Sequence, residues 1–192
     1  MDFSSDRTRL QEKIRTGHII IGQTGWDVLI TRTAKGIPKD KWIPAPLWRS
    51  ITKYIPLACL DIIFRKRDGS ILFGYRKISP YRNVWCIVGG RILRNENMAA
   101  TANRIAKEYG VSFRDLYLVG VFPRVFRNRN DISICVAACG ASGKQRIDGN
   151  EFSRMVWRKN EPKRLGLHHR VMLSKWKKAR KSRKFLTLNR IA

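Results

Sequence analysis

Gly89-Gly90-Arg91, then Glu96, then an Ala-rich segment ending Lys107-Glu108-Tyr109-Gly110-Val111 form the stretch of this 192-residue sequence best suited to chemistry. The order reads as a strand, a glycine turn, a loop and a helix stopped by Gly110. The turn exposes backbone groups and the helix aims a carboxylate at them, so the unit can hold a divalent metal and a diphosphate. Glu108 is a lone carboxylate near the helix end, flanked by Lys107 and Tyr109, with Arg104 one turn earlier. Two readings follow: a metal-directed carboxylate, or an i,i+4 surface ion pair with Arg104. Asp61 interrupts the apolar run Leu57 to Phe64, where an ionised carboxylate is costly unless it is paired. A ligand contact or a structural partner would satisfy it equally.

Positioning these residues takes a series of β elements. The near-continuous apolar run 57–64 has the character of a buried strand, Arg67-Asp68-Gly69-Ser70 a turn, and Ile71 to Arg76 the returning strand of a hairpin. Val84 to Val88 is a third strand feeding the glycine turn, and Met98, Ala102, Ile105 and Tyr109 mark one face of the helix after it. Tyr117 to Phe122 and Ile132 to Ala137 read as two more strands joined by a basic loop, Arg124 to Asn130, and Met155-Val156-Trp157 as a last short one. Upstream, Pro44-Ala45-Pro46 introduces a short helix through Leu47, Ile51 and Ile55 that Pro56 stops. Residues 1–44 alternate short apolar runs with Gly and Pro, as a β-containing extension would. From Arg158 the composition shifts to a tail rich in Lys and Arg, with Met172, Trp176 and Ala179 spaced for an amphipathic helix with a basic outer face. The expected organisation is therefore an extension (1–44), one α/β domain (45–158) and a basic tail (159–192).

Forty Lys and Arg against 14 Asp and Glu leave a formal charge of +26, a field that attracts polyanions such as nucleotides, RNA or DNA. Cys59, Cys86, Cys135 and Cys139 form no CxxC pair and sit mostly in apolar runs, which fits buried thiols in a reducing compartment. No apolar run reaches the length of about 20 residues that a membrane span needs, and Met1 to Asp6 has no signal-peptide core. The expected location is the cytoplasm.

Over residues 46–158 the chain resembles the Nudix hydrolases, and among them the GDP-mannose mannosyl hydrolases. The resemblance is carried by Leu60-Asp61, Asp68-Gly69, Leu72-Phe73-Gly74-Tyr75-Arg76, Trp85, Gly89-Gly90-Arg91, Glu96, Glu108 and Gly110, in that order. It implies a Nudix-type α/β/α sandwich with a mixed sheet, and Mg²⁺ or Mn²⁺ held by the Gly89 carbonyl, Glu108 and Glu151. It also implies that Arg76 and Arg91 stabilise a departing diphosphate, that Asp61 contacts substrate, and that the substrate is a nucleotide or nucleotide sugar. The chain departs from the usual pattern in keeping one helix carboxylate where the family has several. Phe152 occupies the position that matches the subgroup's histidine base, which leaves Glu151 as the acidic candidate for that role. His168 and His169, at the start of the tail, read as solvated or phosphate-contacting surface residues.

Three functions stay open on these grounds. One is a divergent hydrolase of a nucleoside diphosphate linked to another moiety, such as a GDP-sugar. Another is a catalytically silent Nudix domain that binds RNA or DNA through the basic tail, with Trp176 and Phe185 available for stacking. The third combines them, the basic surface recruiting an RNA-linked diphosphate.

Overall fold

Period-two burial along the central strands divides the side chains between two opposite faces, and each face takes a helix. The computed structural model describes residues 20–21, 28–29, 45–126, 129–147, 149–182 and 186–187. The chain comprises two compact units, Met1–Trp48 and Arg49–Ala192. In the first, β1 (Ile20–Ile21) pairs antiparallel with β2 (Val28–Leu29), and most of the expected extension lies outside the described residues. Helix α1 (Ala45–Tyr54) ends two residues before Pro56, whose ring cannot continue a helix.

The second unit is built on a seven-stranded sheet. Its strands are β3 (Leu57–Arg65), β4 (Ile71–Arg76), β5 (Trp85–Arg91), β6 (Asp115–Phe126), β7 (Arg129–Cys139), β8 (Phe152–Arg158) and β9 (Leu186–Thr187), in the order β8-β4-β5-β3-β7-β6-β9. β3 and β7 run parallel and the other neighbours antiparallel, so the sheet is mixed. The β3–β4 turn is closed by Asp68, whose Oδ1 accepts from Ser70 N at 2.9 Å and Ser70 Oγ at 2.5 Å, while Gly69 supplies the required φ of +90°.

Leu60, Ile62 and Phe64 of β3 face Ala102, Ile105 and Ala106 of helix α2 (Met98–Glu108). Ile63, with Phe73 and Ile87, faces Met172, Leu173 and Trp176 of helix α3 (Leu167–Ser182). The result is an α/β/α sandwich. The composition shift at Arg158 thus marks a change of surface, because Leu165, Met172, Leu173 and Trp176 beyond it are buried in the second core. Phe185, expected to stack on bases, lies outside the described residues, and Trp176 is 3% exposed and has no face to offer a base.

Two strands are longer than the apolar pattern shows. β6 and β7 continue as a ladder through Arg124↔Asp131 to Phe126↔Arg129, where charged residues give the appearance of a loop. β8 begins at Phe152, three residues before the apolar Met155. All four cysteines are free thiols. No described helix is long and apolar enough to cross a membrane.

Candidate functional site

The helix side of the glycine turn is organised around Arg104. Asn97 caps α2 by accepting from Ala100 N at 2.8 Å, and this fixes Glu96 immediately before the first turn. The Glu96 carboxylate takes Arg104 Nε on Oε1 at 2.7 Å, and Arg104 Nη2 (3.0 Å), Thr101 Oγ1 (2.9 Å) and Leu93 N (3.2 Å) on Oε2. These bonds, the one from Arg104 foremost, hold its pKa down at about 2. Arg104 Nη2 also donates to the Arg91 carbonyl at 2.7 Å, tying the end of β5 to the helix. Glu108 Oε2 lies 3.9 Å from Arg104 Nη1, so the i,i+4 pair is present, with Glu96 as the arginine's stronger partner.

On the α3 side of the sheet a second group forms around Asp61. The β3–β5 register places Asp61 opposite Gly89, and a Cβ at Gly89 would come within 2.6 Å of Asp61 Oδ1 and 2.7 Å of Leu60 O. Only glycine allows that approach. Arg91 shares Gly89's face of β5, two residues on. Ser133 hydrogen-bonds the Asp61 carboxylate. Burial nevertheless pushes the Asp61 pKa up, outweighing that bond and the positive potentials of Arg124, His168 and Arg76, which pull it down.

Arg124 is the most constrained cation of this group. Its guanidinium carbon lies 4.7 Å from the Tyr81 ring centre and 4.2 Å from that of Phe126, Nη1 donates to Tyr81 Oη at 2.7 Å, and Nη2 is 3.8 Å from Asp131 Oδ2. Stacking fixes the plane of the fork, and Nε is buried with no hydrogen-bond partner among the described residues. The first turn of α3 adds His168 and His169. His169 is 4% exposed, edge-on to Tyr81 at 5.4 Å, and burial lowers its pKa to about 3. His168 lies edge-on to Phe122 at 6.0 Å, and burial, reinforced by Arg124, lowers its pKa to about 4 against the opposing charge of Asp61.

The expected site residues therefore fall into separate associations. Asp61 meets Gly89; Arg76 Nη1 pairs with Glu151 Oε1 at 2.5 Å, where Lys77 N also donates to the Glu151 carbonyl; Glu108 pairs with Arg104. Two of the three groups expected to share Mg²⁺ or Mn²⁺ are carboxylates engaged by different arginines. Among the described residues no three His, Cys, Asp or Glu side chains gather as a metal set. Phe152, in the expected base position, is fully buried, stacked edge-on to Tyr109 at 5.8 Å and seated over Gly74, whose missing side chain makes room for the ring.

Sequence reasoning did not single out Arg124 and Ser133, and it placed His168 and His169 at the surface, whereas His169 is buried and His168 partly so. A signal existed for Arg124, since Phe122, Arg124 and Phe126 alternate onto one face of β6. None existed for the histidines, which the non-repetitive connection 159–166 carries to the sheet.

No family model matches the chain. A stretch of 85 residues is 31% identical to the low-salt glycan biosynthesis protein Agl8 of Haloferax volcanii, covering 44% of this chain and 54% of that protein, so the chain spans about half the length of that relative. A MutT Nudix hydrolase from Burkholderia pseudomallei superposes with a TM-score of 0.58 at 20% identity, over 63% of this chain and 98% of that one. The Nudix domain of Shewanella oneidensis NrtR, solved with ADP ribose, gives 0.55 at 16% identity, over 65% and 88%. The chain has the Nudix fold.

Proposed function

We propose that this Nudix-fold chain binds the diphosphate of a nucleoside diphosphate linked to another moiety on the α3 side of the sheet around Asp61, and hydrolyses it. The observation that carries this reading is Arg124, held flat against Tyr81 and Phe126 within electrostatic range of the Asp61 carboxylate, as is Arg76, beside a strand that approaches closely only because residue 89 is glycine. A departing phosphate needs cations where its charge develops, and a guanidinium already held flat can grip it bidentately without first losing freedom. Arg124 supplies that grip, and Arg76 and Arg91 offset the leaving-group charge. Glu151, bonded to Arg76, holds that arginine in place. Neutralisation by guanidinium groups suits a site whose carboxylates are already bound to arginines.

Two comparisons support the substrate class. The NrtR domain was solved with ADP ribose, a nucleoside diphosphate linked to a sugar, and Agl8 is described as a glycan biosynthesis protein. The free thiols suit the reducing cytoplasm. The test is product release from GDP-sugars, ADP-ribose, nucleoside triphosphates and 5′-capped RNA, each with added Mg²⁺ and with chelator. Sugar-linked diphosphates should turn over, and Arg124→Gln should weaken their binding about 10- to 100-fold, the loss of one charge-assisted contact. No turnover on any of them refutes hydrolysis.

A second reading has one observation in its favour. Lys175, Lys177, Lys178, Arg180 and Lys181 lie exposed along α3, with Lys178 and Lys181 opposite its buried face. RNA binding that falls steeply with salt, and is lost in a Lys178→Glu, Lys181→Glu double variant, would support a polyanion-binding role for this face.

A further inference from the structure

Phe152 is sealed in the core and Glu151 is engaged by Arg76, so neither position offers a free acceptor for the proton that an attacking water must lose. We propose that His168, in the first turn of α3, is the proton acceptor of the hydrolysis; the assignment rests on the hydrolase reading above.

The geometry runs across the sheet. Gly89 lies opposite Asp61, Asp61 accepts a hydrogen bond from Ser133, Ser133 is the cross-strand partner of Phe122, and the His168 ring stands edge-on to Phe122 at 6.0 Å. His168 therefore stands at the β6 end of the row of residues that runs across the sheet to the glycine turn, within electrostatic range of Asp61. Its Nε2 is buried and has no hydrogen-bond partner among the described residues. A buried polar atom left open in this way is a place for a ligand or water to bond.

Burial first, and then the charges around the ring, set its protonation. Arg124 from β6 and His169 on its own helix disfavour the imidazolium, Asp61 from β3 favours it, and Lys175 of α3 shares the Phe122 ring at 5.3 Å. The free protein thus presents a neutral imidazole at pH 7, ready to accept. A bound diphosphate offsets the positive potential of Arg124 and lifts the ring toward the range where imidazole is an efficient base.

In the step itself the water oxygen bonds to the electrophilic centre, phosphorus or sugar carbon, as its proton passes to Nε2 of His168. The bond from that centre to the bridging oxygen breaks. Its electron pair stays on the departing phosphate oxygen, which the arginines hold, and the imidazolium then returns its proton to solvent.

The experiment compares wild type, His168→Gln and Glu151→Gln on the best substrate of the panel. It is paired with binding of a methylene-bridged analogue and with thermal unfolding. In His168→Gln, kcat should fall about 10²- to 10⁴-fold. Its KM and analogue binding should stay within threefold of wild type, and the acid limb of the kcat profile should disappear. Turnover within fivefold of wild type overturns the assignment and leaves the hydrolase reading standing, as does a loss of analogue binding as large as the loss of kcat. Absence of turnover in the wild type overturns both. As a measurement independent of any variant's folding, the His168 ring resonances of the wild type should move toward the protonated form when the analogue binds; unmoved resonances overturn the proposal.

Discussion

Replacing Glu96 by Gln removes the charge at the centre of the α2 clamp and leaves its shape. In the folded chain this carboxyl ionises at about 2 against an ordinary 4.5, chiefly through its bonds from Arg104. Each pH unit between two such values corresponds to about 1.36 kcal/mol, so the difference sets a ceiling of roughly 3.4 kcal/mol on the stabilisation at neutral pH. Arg104 is 34% exposed and Glu96 17%, and water screens the pair. The expected loss in Glu96→Gln is therefore about 1–2 kcal/mol at pH 7. The sign follows from a folded value below the unfolded one: the contribution is complete above pH 4.5 and disappears as pH falls through 4.5 toward 2. Urea unfolding of both proteins from pH 7 to pH 2.5 measures it, and the two stability curves should converge at the acid end. Equal stability at pH 7, or a deficit that persists unchanged at pH 2.5, would show that Glu96 is not the ionic anchor of this helix. Arg104 also bonds the Arg91 carbonyl, so the same substitution should loosen the end of β5 and raise hydrogen exchange there.

Other consequences concern α3. Met172 is fully buried beneath the sheet, so Met172→Ala should destabilise the domain by about 2–5 kcal/mol in denaturant unfolding, whereas Lys178→Glu on the outer face should leave the midpoint within error. His169 ionises at about 3 when folded and 6.5 otherwise, so it stabilises the fold fully above pH 6.5 and progressively less as pH falls below that value. Stability of His169→Leu measured from pH 7 to pH 4 should have a shallower acid slope than wild type; parallel slopes would refute the assignment.

The order of the sandwich was legible because its signals are local. Apolar runs at 57–64, 71–76 and 84–88, the Asp68-Gly69 turn and the spacing of Met98, Ala102 and Ile105 each act within a few residues, and β3, β4, β5 and α2 stand where those patterns place them. The ends of β6 and β7 were not legible, since Arg124 and Asp131 pair across the ladder and resemble a polar loop in one dimension. The amphipathic helix that the spacing of Met172, Trp176 and Ala179 predicts in the tail is present as α3. α3 buries a narrow stripe of Met172, Leu173 and Trp176 under a surface of lysines, so its mean composition reports the exposed side while its packing follows the stripe.

The glycine turn and the arginines of the candidate site could be read from motif order, whereas the pairing of its charges could not. Glu108 with Arg104 satisfied helix spacing, but Glu96 reaches the same arginine from eight residues away, across the N-cap, and forms the stronger bond. Asp61 could be recognised as a carboxylate in need of a partner, but its partner Ser133 lies on a parallel neighbour strand whose register appears in no local pattern. His168 carries the argument furthest. A chain that places phenylalanine at 152 gains a core contact over Gly74 and loses an imidazole at that point of the sheet. An imidazole reaches the opposite face from α3, a helix whose composition marks it as surface, and only the folded topology brings it within electrostatic range of Asp61. A motif comparison by position therefore counts the histidine as absent, while a neutral imidazole in the field of Arg124 is supplied from a different element.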